Sequence, residues 1–189
     1  MPDCLSANRL SAIERKFKNK PMDIQTYYFK DNGIIPNNRL PLLVYKFAFP
    51  VGDSLDDVME ETFASHNWTN SWRNGVYPYH HYHSITHEVV GVYAGSAELH
   101  LGGEEGEKIT VTARDVVVIP AGVGHKKISQ SDDFAVIGAY PDGKGYDLMT
   151  GKEGERPNAD ERIASVPLPE TDPVLGKEGG VAEYWHLTS

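Results

Sequence analysis

Residues 75–95 read GVYPYHHYHSITHEVVGVYAG, and positions 80–88 of this stretch hold four of the chain's eight histidines together with one glutamate. Histidine is the commonest metal ligand among side chains, so the spacing within the cluster decides what it can do. In a strand, residues two apart project to the same face. His81 and His83 therefore point together, with Tyr82 turned away and His80 on the outer face. The segment SIT makes a short connection, and Glu88 stands at the mouth of a following strand, EVVGVY, from which it can swing back to the two imidazoles. Two imidazoles and one carboxylate from adjacent strands form a facial ligand set. Such a set suits Fe(II), Mn, Co, Ni or Zn and leaves open positions. Reading HSITHE as a helical zinc motif conflicts with the β-rich, glycine-rich surroundings, which leaves His87 to support the ligands from behind or to sit at the rim.

Working outward, RDVVVIPAGVGHKKIS (114–129) carries a buried-looking strand, a Pro-Ala-Gly turn and then His125, a fourth ligand from a distant strand. The runs EVVGVY, SAELHLGG, KITVTA, DVVVIP, HKKIS and FAVIGAY are short, β-rich and separated by Gly, Asn, Asp and Pro. That pattern predicts an all-β sandwich or barrel. In AELHLGG, Ala97, Leu99 and Leu101 share one face and Glu98 and His100 the other, as in a half-buried strand. EVVGVY and DVVVIP are apolar on both faces and are expected between packed layers. Upstream, MDIQTYYF and LPLLVYKFAF read as strands. The segment 52–67 reads as a helix, with Ser54 as N-cap, Asp56 and Asp57 in the first turn, and Leu55, Val58, Met59 and Phe63 along one side. Residues 1–21 are expected to be a loosely ordered extension and 22–189 a single domain. After Tyr140 the chain is rich in Gly, Pro and charge. There a short helix is expected near 159–164, an extended VPLPETDPVLG, and a VAEYWHL segment docked on the barrel, which together make a C-terminal wrap over 141–189.

The chain resembles the cupins. Gly75, His81, His83, Glu88 and Gly95 match every fixed position of the first cupin motif, within 75–95. Pro120, Gly122 and His125 match the second, within 114–129, where Arg114 stands in place of its first glycine and Ser129 in place of its final asparagine. The resemblance implies a double-stranded β-helix (jelly-roll) barrel of the RmlC-like type, with one helix in the N-terminal half and irregular terminal extensions. It also implies one divalent transition metal (Fe, Mn, Ni, Co or Zn) on His81, His83, Glu88 and His125, and a homodimer. The flanking LPLLVYKF, HYHSITHE, PAGVGH and PLPETDP look most like a group of uncharacterised small single-domain bacterial and fungal cupins, a likeness that brings no substrate with it. Fold does not fix chemistry here. The expected function is a metal-dependent enzyme, of oxygenase or isomerase type, on a small polar organic molecule in the barrel cavity. The alternatives are a non-catalytic cupin that binds or senses a small ligand or metal, and a purely structural role.

Tyr77 and Tyr79 share the parity of His81 and His83, so they line the cavity or pack in the core. Lys127 and Ser129 share the parity of His125. An inward Lys127 would draw an anionic substrate, whereas an outward one would be a solvated surface lysine. Trp68, Trp72 and Arg73 precede the first motif as rim or as buried aromatic packing. The net charge of −9, from 27 acidic and 18 basic residues, argues against nucleic acid and anionic membranes as partners. Cys4 is the only cysteine, which rules out an intrachain disulfide and fits a cytoplasmic setting. No phosphate-binding loop or nucleophile elbow occurs.

Overall fold

The strands alternate so strictly that their side chains sort into two separate cores, one on each face of a central sheet. The computed structural model describes residues 21–186, so the extension expected over residues 1–21 lies, apart from Pro21, outside the described residues. In chain order the elements are β1 (Asp23–Tyr27), β2 (Leu42–Lys46), α1 (Leu55–Ser65), β3 (Trp68–Asn74), β4 (Glu88–Ala94), β5 (Ser96–Leu101) and β6 (Glu107–Thr112). They continue with β7 (Val116–Ile119), β8 (His125–Gln130), β9 (Ala135–Pro141), α2 (Asn158–Ser165) and α3 (Gly180–Tyr184). A six-stranded sheet, β1-β2-β7-β4-β9-β3, faces a three-stranded sheet, β6-β5-β8, and all the strand pairs are antiparallel. This is a two-sheet jelly roll, one of the all-β arrangements that the β-rich runs predict and the one that the resemblance implies.

Leu42, Val44, Val90, Val92, Val117 and Val136 of the large sheet meet Ala97, Leu99, Leu101 and Val111 of the small one. The other face of the large sheet presents Leu43, Tyr45, Val89, Val116, Val118 and Ile137, which are covered by Met59 and Phe63 of α1 and by Val174, Val181 and Trp185 of the C-terminal wrap. That double covering explains why EVVGVY and DVVVIP are apolar on both sides. The wrap is tied down by Asp172, which accepts hydrogen bonds from the Tyr45 hydroxyl and from the amides of Val174, Leu175 and Val181. α2 and the docked α3 fall where the sequence places a short helix and an apolar C-terminal segment.

One local reading needs correction, and one strand left no mark in the sequence. Ser54 precedes α1, but its φ of 55° is left-handed and its side chain makes no capping bond. The acids Asp56 and Asp57 do stand in the first turn. Strand β3 is polar, WTNSWRN, and does not read as a strand. It forms because β9 offers it a full ladder, interrupted by a bulge between Thr69 and Trp72. Arg114, where the second motif has glycine, adopts a left-handed φ of 86°. It is held there by Nε donating to the Phe49 carbonyl at 2.6 Å and by its guanidinium lying 5.2 Å from the Phe47 ring centre.

Candidate metal centre

His81 lies just before β4, and its backbone pairs with His125 at the start of β8. His81 N donates to His125 O at 3.2 Å, and His125 N donates to His81 O at 3.0 Å. This bridge brings residues 44 positions apart ring to ring, with centroids 4.0 Å apart. His83 is anchored from the other side, since its carbonyl accepts from Gly122 N at 2.8 Å, within the Pro-Ala-Gly turn. Tyr82 points away, is fully buried, and is clamped by backbone bonds to Met149 and by its hydroxyl donating to Glu155 at 2.9 Å. The strand parity read from the sequence thus places His81 and His83 on one side and Tyr82 on the other.

The imidazoles are oriented by main-chain carbonyls. Nδ1 of His81 bonds the Tyr79 carbonyl at 3.1 Å, Nδ1 of His125 that of Val123 at 3.0 Å, and Nδ1 of His83 that of Asp147. With each Nδ1 engaged outward, each Nε2 is left facing inward, as in the outer-shell support typical of metal-binding histidines. Asp147 is itself fixed, because its carboxylate accepts from the amide and hydroxyl of Ser84. Glu88, paired with Ile119 across β4 and β7, places Oε2 3.2 Å from His83 Nε2 and 3.3 Å from His125 Nε2. Its Oε1 accepts from the Tyr140 hydroxyl at 3.2 Å, and that hydroxyl accepts from Trp72 Nε1 at 2.8 Å. All four side chains are buried, and a ligand atom from each of His81, His83 and His125 lies within 4.8 Å of the others, so the three could hold a metal ion.

Burial, reinforced by His125, pushes the His81 pKa down to about 2, which keeps that ring neutral. Burial also opposes a charge on His83, but the Glu88 carboxylate outweighs it and holds the His83 pKa above its ordinary value. For Glu88, burial favours the neutral acid, yet the His83 and His125 contacts prevail and hold the carboxyl well below the usual range.

These groups form the floor of a cavity of about 280 Å³. Tyr77, Trp72, Arg73, Lys127, Tyr140 and Tyr146 contribute to its walls. Tyr140 and Tyr146 stack at 5.1 Å, and Tyr146 lies edge-on to His83 at 5.2 Å. Arg73 is neutralised by Asp56, Asp57 and Glu60 of α1 at 2.5, 2.9 and 2.5 Å, whereas the Lys127 ammonium bonds the neutral Gln130 side chain.

Of the residues singled out in the sequence, Tyr77 and Lys127 line the cavity. Tyr79 stacks on Tyr77 and is 42% exposed, and Ser129 is exposed on β8 beyond the cavity wall. His87 points to the opposite side of β4 from Glu88. It is buried against Trp185, and its Nδ1 accepts from Ala121 N at 2.9 Å. Tyr140, Tyr146 and Asp147 escaped the sequence reading. Only Tyr140 left a trace there, since it shares the parity of Val136 and Gly138 in FAVIGAY.

A two-sheet barrel with a His-x-His pair and a glutamate from one motif set against the histidine of a second defines a cupin. No protein-family profile matches the chain. It is 48% identical over 166 residues to the uncharacterized protein YjlB of Bacillus subtilis (strain 168), across 86% of this chain and 97% of that one, and so belongs to the same family as YjlB. Similar solved structures include a DUF861 family protein from Thermotoga maritima, 18% identical, covering 51% of this chain and 96% of that one with a TM-score of 0.34. Another is the dTDP-6-deoxy-D-glucose-3,5-epimerase RmlC from Legionella pneumophila, 13% identical, covering 65% and 74% with a TM-score of 0.37.

Proposed function

We propose that the chain is a metal-dependent enzyme, of isomerase or oxygenase type, acting on a small polar molecule that carries a carboxylate or similar anionic group. The observation that carries this reading is the cluster of three imidazoles with ligand atoms within 4.8 Å of one another, two of them beside the Glu88 carboxylate, on the floor of a cavity. The donor set fits a divalent transition metal. Two ligands held about 2.1 Å from a common ion stand roughly 3 Å apart, which is the spacing of Glu88 Oε2 from the two imidazoles. His81, His83, Glu88 and His125 would hold the ion, and when bound it supplies Lewis acidity toward a substrate oxygen or, as iron, redox chemistry.

The chain's own residues do the rest. Lys127 attracts the anionic end of the substrate, because Arg73 is already matched by three acids. Tyr77, Tyr146 and Trp72 give flat apolar walls that exclude water and orient a small planar body. The Tyr140 hydroxyl donates to Glu88 and accepts from Trp72, so it holds the carboxylate in place beside the imidazoles. Burial and the neighbouring Glu88 raise its pKa above the ordinary value, so it stays protonated and keeps that bond. The homodimer and cytoplasmic setting that the family likeness implies belong to this reading. Light scattering of the purified chain tests the dimer.

The deciding experiment loads the purified protein with Mn²⁺, Fe²⁺, Co²⁺, Ni²⁺ and Zn²⁺ in turn, counts bound metal, and assays a panel of small carboxylates for isomerisation and oxygen uptake. Metal that is retained by the protein but lost with His83→Ala, together with turnover of one substrate, supports the reading. Absence of binding for every ion sinks it. Metal retention with binding but no turnover moves the chain to a ligand-sensing role.

A further inference from the structure

We propose that His80, His100 and Glu104 form a second metal site, on the face of β5 turned away from the cavity, for a divalent ion with an imidazole preference such as Zn²⁺. Strand alternation places the first two residues there. Leu99 and Leu101 of β5 point into the inter-sheet core, so His100 points out, and His80 has the opposite parity to the cavity ligand His81. Their rings meet edge-on with centroids 4.8 Å apart. Glu104, in the turn after β5, completes a two-histidine, one-carboxylate set whose ligand atoms all lie within 4.8 Å of one another.

A second observation points to a ligand. Both ring nitrogens of His80 are shielded from solvent and make no hydrogen bond, although Glu104 Oε1 lies 3.0 Å from Nε2. A buried polar group left without a partner costs about 1–3 kcal/mol. A metal on the in-plane lone pair of one ring nitrogen removes that cost for that nitrogen and accounts for an imidazole held beside a carboxylate without a formed hydrogen bond. His100 is only 4% exposed and is thus held in place, while Glu104 is 73% exposed at its side chain and free to turn. Tetrahedral ligands at about 2.1 Å stand roughly 3.4 Å apart, so a modest swing of the Glu104 carboxylate closes the site. Lys126 Nζ, 2.8 Å from the same Glu104 Oε1 that faces His80, competes with an ion for that carboxylate. Because His80 and His81 are consecutive, an ion here would pin the approach to the cavity to the β5–β6 turn.

Co²⁺ titration of the full chain, followed by visible absorption and by native mass spectrometry, tests the site. The wild type should take up two ions, and His100→Asn should retain one. His83→Ala should also retain one, so the outer ion is counted independently of the cavity. Glu104→Gln, on an exposed turn that tolerates substitution, should weaken the outer ion at least tenfold, and it serves if His100→Asn does not fold. Lys126→Met should tighten it. A wild type whose bound ions all survive both His100→Asn and Glu104→Gln overturns the proposal, as does a wild type that takes up only the ion lost in His83→Ala.

Discussion

His87 sits one residue from a proposed ligand yet faces the other way. Burial pushes its pKa down to about 4, while the unfolded chain binds that proton near pH 6.5. The neutral ring therefore contributes stability that is complete above about pH 6.5 and is lost as the pH falls toward 4. Roughly 2 kcal/mol of it is gone by pH 5. Denaturant unfolding at pH 7.5 and 5.0 checks this: His87→Gln should lose about 2 kcal/mol less than the wild type over that interval, and identical losses would refute the assignment. Arg114 offers a second residue-scale test. Arg114→Ala keeps the left-handed backbone and removes the Phe49 and Phe47 contacts, so it should cost about 1–2 kcal/mol. Arg114→Gly should recover roughly 1 kcal/mol of that loss by removing the steric penalty on the backbone. If the two variants are equally stable, the strain is not real.

At the scale of elements, β3 shows why local sequence falls short. Its polar residues give no alternation to read, and its position is set by β9 and by one glycine. A Cβ at Gly138 would stand 2.2 Å from the Trp72 ring, so only glycine lets the indole lie across β9 and donate to Tyr140. Gly138→Ala should therefore displace Trp72, change its fluorescence, and cost about 1–3 kcal/mol by overpacking. An unchanged spectrum and stability would show that the indole does not depend on this contact. The helix α1 was legible from its apolar spacing, but its second task was not. Asp56, Asp57 and Glu60 look like a solvated acidic face until β3 brings Arg73 against them. Of the two cations in the cavity wall, that leaves Lys127 unmatched by an acid.

For the whole molecule, an ion bound in the native state and not in the unfolded chain raises stability by RT ln(1 + [L]/Kd). At a hundredfold excess over Kd this is about 2.7 kcal/mol, or roughly 5–11 °C in a chain of this size. Thermal melts with Mn²⁺, an ion for which an imidazole-preferring outer site has little affinity, should show that rise for the wild type and Lys127→Gln, and should lose most of it in His83→Ala or Glu88→Ala. A rise that persists in His83→Ala would place the stabilising ion elsewhere. The two cores carry the fold itself. Phe63→Ala, at the contact between α1 and the central sheet, should cost about 3–5 kcal/mol without touching the cavity.

The sequence by itself determined an all-β fold with its doubly apolar strands between packed layers, because alternation and those strands leave few other ways to bury the residues. It also determined the separation of His81, His83 and Glu88 from His80, because strand parity is a local property of the backbone. Tertiary structure alone decided which groups join across the chain. It set Tyr140 and Trp72 behind Glu88, brought Asp147 from the wrap to orient His83, and gathered His80, His100 and Glu104 on the outer face. Those meetings depend on register and on long-range closure, and neither leaves a periodic mark in the residues that take part.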